Sequence, residues 1–438
     1  MRLCRSLTCA FLSFPVGIPA LLQAQNASVG PAQVLTLADA EATALANQPR
    51  MLAAQQRAQA SAQQIREARS EYFPTVGLNA TGVQVADTDT ATAAGNITTS
   101  SISDRFAYGG NLTQLVTDFG RTGALVSRAR DEAQAQQDRA TLTRAQVRLN
   151  VREAYYQVLG AEAVLRAAQA AQANRQLVAR QLSALAQSEL RSTLDVQFAT
   201  VLVNEAELAV VRAQSTVAQQ RAHLATAVGL QQPVTAKLSD IAPTSDALPP
   251  LPDGLLQQAR TQRADLHAAE AQQLAAQQFA VAQERLSYPK LNVLAAAGEI
   301  PYHDHTLHDN YATAGFNLSI PVFNGGLFSA ERAQAEHEAT ASERDTQQLR
   351  LEVSEQVRDA WYRANEAYQS LDVTTRLVNE TRQALHLAQD RYDAGLGSIV
   401  ELNEAQLSET SAEIDAAAAA YTYLSRRAEL DFATGQLN

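Results

Sequence analysis

Apolar and polar residues alternate in two stretches of the chain. The first, about residues 74–116, carries Val76, Leu78 and Ala80, then Phe106, Tyr108, Gly110 and Leu112. The second, about 289–322, carries Leu291, Val293, Ala295 and Ala297, then Ala312, Ala314, Phe316, Leu318 and Ile320. A period of two with one apolar face predicts strands. Polar loops at 86–104 and 299–310 interrupt the runs, so each stretch predicts one β-hairpin. The remaining sequence predicts helix. Segments of about 37–72 and 254–287 precede the hairpins and stop at Phe73-Pro74 and Tyr288-Pro289, where proline cannot continue a helix. After each hairpin a helix runs from near Gly120 to Leu190, or from Gly326 to Asp393, on the order of 100 Å at 1.5 Å per residue. A shorter one follows, from Ser192 to Gly229 and from Ser398 to Gly435.

The two plans are one plan repeated. "VREAYYQVLGAEAVL" at 151–165 aligns with "VRDAWYRANEAYQSL" at 357–371, and the offset of 206 holds without a gap from Leu112–Gly229 to Leu318–Gly435. Gly120/Gly326, Tyr156/Tyr362, Ser192/Ser398 and Arg221/Arg427 are among the identities. Upstream the offset is 215, matching "EYFPTVGLNATG" (71–82) to "LSYPKLNVLAAAG" (286–298). The expected organisation is a first repeat at 25–230, a proline-rich connector at 231–254 and a second repeat at 255–438. A helix this long needs lateral partners, and the two shorter helices of each half add up to a strand that can lie antiparallel beside it.

Composition narrows the class. With aromatic residues at 5% and charged residues at 18% of 438, the alanine- and glutamine-rich chain suits thin helical architecture better than a globule. Residues 1–24 read as a signal peptide: Arg2 and Arg5, then the apolar "LTCAFLSFPVGIPALLQA". Cys4 and Cys9, the only cysteines, fall within it, so no disulfide framework or thiolate metal site is expected. Its two arginines take the net charge from −11 to −13, which argues against nucleic-acid binding. Beyond it no apolar run of 18 or more residues occurs, so membrane entry would have to be by strands. Four strands cannot close a barrel, and an open sheet edge cannot face lipid; several chains would have to share one. Aromatics near the strand ends (Phe73, Phe106, Tyr108, Tyr288, Tyr302, Tyr311, Phe323) are placed as interfacial girdles are. A small water-soluble sheet with aromatic edges is the other reading of the same pattern.

Candidate chemistry is sparse. Asp118-Phe119-Gly120 spells a kinase magnesium motif, but no His-Arg-Asp loop or GxGxxG accompanies it, and the only lysines are Lys237 and Lys290. The junction recurs 206 residues on as "VFNGG". Asp118 or Asn324 can cap the helix start, and Gly120 or Gly326 permits the turn. His303, His305 and His308 suggest either a metal site or a solvated loop, and the spacing favours the loop. No nucleophile–base set, carboxylate cleft or phosphate loop is present, so no catalysis is expected, and no cofactor or metal.

The duplicated helix–hairpin–helix plan, the aromatic-proline strand starts, the "DFG"/"FNGG" junctions and above all "RYDAGLGSIVELNEAQ" (391–406) resemble the TolC-like outer membrane factors. The resemblance covers essentially the whole chain after residue 24. It implies a mostly α protein with β: a homotrimer whose hairpins form a twelve-stranded outer-membrane barrel, continued by a long periplasmic α-helical barrel. It implies a passive exit duct of a Gram-negative bacterium, served by a periplasmic adaptor and an inner-membrane pump of RND or ABC type. A periplasmic coiled-coil scaffold or adaptor with a soluble β-domain is the alternative.

The resemblance also implies roles. Glu401 and Glu404, three apart on one helix face, match acidic constriction positions; solvated surface glutamates are the other reading. Asp195 is the counterpart of Glu401 in the first half, whereas Glu404 meets Phe198. Tyr392 matches a gating tyrosine. The family's basic gating position is Gly397 here, with Arg191 as its half-repeat counterpart. The turns "YDAGLGS" (392–398, with Gly395, Gly397 and Ser398) and "QSELRS" (187–192, with Ser188, Glu189 and Ser192) would form periplasmic tips that meet the adaptor.

Overall fold

The computed structural model describes residues 34–83, 105–189, 192–241, 248, 253–303 and 308–438. The expected signal peptide, the loop 86–104, Leu190, Arg191 and His305 lie outside them.

Among the described residues, eight α-helices and four strands appear in two matching series. The first is α1 (Leu37–Asn47), α2 (Pro49–Ser70), β1 (Thr75–Val83), β2 (Arg105–Thr117), α3 (Arg121–Gln187) and α4 (Thr193–Val228). The second is α5 (Asp253–Gln262), α6 (Ala264–Glu284), β3 (Lys290–Tyr302), β4 (Asn310–Ser319), α7 (Leu327–Asp393) and α8 (Ile399–Ala433). Helices α3 and α7 each hold 67 residues, or about 100 Å. Each has its two shorter partners beside it: α3 packs on α2 and α4, α7 on α6 and α8. Alanine supplies many of the buried positions of α3, among them Ala124, Ala135, Ala140 and Ala145, and small residues let helix axes approach closely.

The structure differs from the sequence expectation at 37–72 and 254–287. Each is two helices, not one. Pro49 opens α2 as its first residue, where its missing N–H costs nothing, and Gln48 before it is extended. Arg263 makes the matching break in extended geometry without a proline. Its guanidinium binds Asp265 at 2.5 Å and Gln356 at 2.8 Å, tying the kink to α7.

The largest core cluster among the described residues lies at the first kink, where Met51 of α2 meets Val151, Tyr155 and Val158 of α3 and Leu224 of α4. The connector is stitched there. Leu35 and Leu238 form a parallel bridge, and the Tyr155 hydroxyl lies 2.9 Å from Leu35 O and 2.7 Å from Ser239 O. Arg221 donates to Val234 O and Ala236 O and pairs with Glu162 at 2.6 Å.

The strands form one antiparallel sheet in the order β1-β2-β3-β4. Lateral partners share a face. Val76 meets Leu112, Leu112 meets Ala295 and Ala295 meets Ala314; one step along, Leu78, Gly110, Ala297 and Ala312 form the next row. The opposite face carries Asn79, Asn111, Thr113 and Thr313, with Asn79 donating to Asn111 at 2.6 Å. One face is therefore mainly apolar and the other mainly polar, with Gln114 and Leu294 as exceptions. Among the described residues no helix packs on either face to any extent.

Candidate functional site

At the junctions the two halves solve one problem differently. Asp118 accepts from Gly120 N at 3.1 Å, Thr122 N at 2.6 Å and the Thr122 hydroxyl at 2.6 Å, so it caps α3. Burial alone would raise its pKa, but the bonds from Thr122 and Gly120 outweigh it and hold the carboxyl below its ordinary value. Phe119 and Gly120 both take positive φ, 54° and 93°. In the second half Gly325 and Gly326 occupy those conformations. Asn324, contrary to the expectation, makes no side-chain cap; its Nδ2 is buried without a partner among the described residues.

Far from the sheet the helices turn back. Ser192 and Ser398 cap α4 and α8, accepting from Leu194 N at 3.1 Å and Glu401 N at 3.2 Å. Ser188 donates to Ala184 O at 3.2 Å. Glu189 turns the first tip with φ 59° and Gly395 the second with φ 73°. Gly397 is held for another reason: a Cβ there would lie 3.2 Å from both the Arg391 Cβ and Glu401 Oε2. A longer side chain at 397 would have to displace them.

The structure joins two residues that the sequence reading gave separate roles. The Tyr392 hydroxyl donates to Asp195 Oδ2 at 3.0 Å, linking the end of α7 to the start of α4. The Tyr392 ring is buried among Leu182, Ala199, Ile399 and Leu402. Glu401 and Glu404 are both exposed in the protomer. Arg391, to which the sequence assigns no role, places Nη2 3.2 Å from Leu396 O and 3.7 Å from Glu401 Oε2. A cation thus stands beside Glu401 from within the same hairpin, although both partners are exposed and the pair is worth little.

Behind the tip, α3, α7 and α8 border a groove of about 370 Å³ lined by Arg175, Arg382, His386, Asp390, Glu409 and Glu413. Arg175 is only 7% exposed, its Nη1 donating to Leu202 O at 3.2 Å. Burial lowers its pKa, with Glu205 opposing. Burial raises that of Glu409, reinforced by Glu413 and opposed by Arg382. No sequence signal marked Arg175; its burial depends on α4 and on α8 from the other half.

On the sheet the exposed apolar face includes Val76 (71%), Leu78 (88%) and Phe316 (78%). Aromatics sit at both ends of the strands: Phe73, Tyr288 and Phe323 beside the helices, Phe106, Tyr108 and Tyr302 at the far end. His303 pairs with Asp309 at 2.9 Å and His308 is exposed. Among the described residues no three metal-ligating side chains converge. No helix of the described residues is long and apolar enough to cross a membrane.

Comparison with known proteins agrees with this geometry. The chain is 26% identical to the outer membrane protein TolC of Salmonella enteritidis over 401 residues, 86% of this chain and 77% of TolC. It is 25% identical to the solvent efflux pump outer membrane protein SrpC of Pseudomonas putida, over 78% of this chain and 72% of SrpC. The solved structure of CusC superposes with a TM-score of 0.80 at 18% identity, covering 91% of this chain and 92% of CusC. The outer membrane efflux protein family model matches residues 42–230 and 255–436. The chain belongs to the outer membrane efflux protein family.

Proposed function

We propose that this outer-membrane channel works as a homotrimer, each copy giving four strands to one twelve-stranded barrel and its helices to an α-helical barrel in the periplasm. The channel serves efflux or type I secretion in a Gram-negative outer membrane. The observation that carries the trimer is the sheet: its apolar face is bare, and β1 and β4 are both open edges. Such a face is costly in water and suited to lipid. Such edges are excluded from lipid unless paired. A soluble β-domain, as in a periplasmic scaffold, would cover that face.

In this reading residues 1–24 direct export, 25–230 and 255–438 are the two repeats, and 231–254 is the equatorial connector. The two family-model segments support that division. The tips at 187–192 and 392–398 meet a periplasmic adaptor, which couples the duct to an RND or ABC pump that supplies the energy. Glu401, Glu404 and Asp195 line the narrow entrance, where carboxylates from three copies favour cations. The Tyr392–Asp195 bond holds the second tip against the first and opposes opening, and Arg191 shares the gating role. The mass of the detergent-extracted particle tests the assembly: three chains are expected, and a single chain overturns it.

A further inference from the structure

The internal duplication allows one half to report what the other half lacks. Within each half the register between short and long helix is the same. Ala54 clusters with Ala140 in the first, and Ala269 O accepts from Thr346 at 3.5 Å in the second, at the positions related by the offsets 215 and 206. Between halves, α3 has a second neighbour: α6 covers its other side. There Arg139 Nη2 lies 3.4 Å from Gln272 Oε1, Arg128 stacks 4.1 Å from the Phe279 ring, and Arg285 donates to Gly120 O at 2.7 Å.

Helix α7 has no such second neighbour among the described residues; it packs on α5, α6 and α8. The cost is visible residue by residue. Ala145 is 2% exposed and its counterpart Leu351 is 67%. The complementary face of α2 is equally bare. Ala275 and Ala282 of α6 are buried, while their counterparts Ala60 and Glu67 are exposed.

We propose that α2 of a second copy lies on α7 as α6 lies on α3, and that Arg57 of that copy pairs with Asp345 to set the register. The pair follows from the duplication. Arg139 maps to Asp345 and Gln272 maps to Arg57, so a contact between an arginine and a glutamine within the chain becomes one between opposite charges across the seam. Arg128 and Phe279 map to Gln334 and Gln64, two side chains that can hydrogen-bond each other. Arg57 and Asp345 are exposed and make no ion pair among the described residues. A second copy in a different register would put Arg57 against other side chains and leave Asp345 unpaired.

The inference rests on the homotrimer reading, and the experiment separates the two. Cys4 and Cys9 are the only cysteines and both precede residue 25, so introduced thiols are unambiguous. R57C, D345C and the double variant are treated in membranes with a short bis-maleimide. The double variant is expected to give two- and three-chain bands on a denaturing gel, and each single variant none. In detergent, R57D or D345R alone should lower the temperature at which the assembly falls into single chains, and R57D/D345R should restore it. A three-chain wild-type particle without cross-linking in the double variant, or without rescue in the double reversal, overturns the register and leaves the trimer standing. A single-chain wild-type particle overturns both.

Discussion

The Tyr392 hydroxyl donates to Asp195 across 3.0 Å, a bond between residues 197 apart that fastens the two helical tips to one another. It is one hydrogen bond, to a charged acceptor, on a ring buried in apolar contact. Removing it without disturbing the ring isolates its effect.

Tyr392→Phe should weaken the tip-to-tip contact by about 1–3 kcal/mol, the usual worth of a bond to a charged group. In planar bilayers the variant is expected to open more often than the wild type. Asp195→Asn keeps an acceptor and should have a smaller effect. Equal open probability for Tyr392→Phe and wild type would remove this bond from gating.

Glu401→Gln and Glu404→Gln remove the charge and keep the shape. The reversal potential under a salt gradient should shift towards non-selectivity in each, and further in the double variant. An unchanged reversal potential would place both carboxylates on solvated surface away from the conducting path.

The junction predicts an asymmetry between halves. Asp118→Ala removes the acceptor of three hydrogen bonds and should cost about 0.5–2 kcal/mol, the usual price of a lost cap. Asn324→Ala removes no cap and should cost less. Because the folded state depresses the Asp118 pKa, its contribution is full above the ordinary carboxylate range and is lost as pH falls through the folded value. Thermal melts of Asp118→Ala and wild type in detergent should therefore converge at acid pH.

Glu409 has the opposite sign. Burial beside Glu413 raises its pKa, so its ionisation opposes the folded state once pH exceeds the unfolded value. Glu409→Gln should stabilise the protein at neutral pH, and the gain should vanish in acid. Stabilisation that persists in acid would assign the effect to packing instead.

Periodicity made much of this molecule legible. The 206 offset anticipated two helices of equal length, and the alternation of Val76, Leu78, Leu112, Ala295 and Ala314 anticipated a single apolar face. Local chemistry was less complete. Pro49 is a helix-start residue inside a helical pattern, and reading through it merged α1 with α2. Asn324 looked equivalent to Asp118, but two successive glycines make that turn without a side-chain cap. Arg175 and the Tyr392–Asp195 bond depend on contacts between halves, which a pattern repeated within each half does not encode. The Arg391–Glu401 pair has no helical spacing to reveal it, because Glu401 lies across a turn rather than one helical turn along.

The mass of the native particle extracted by detergent from the outer-membrane fraction, corrected for bound detergent, tests the central claim most directly. Three chains per particle is the predicted result. One chain per particle, or a protein recovered only from the soluble periplasm, would contradict it.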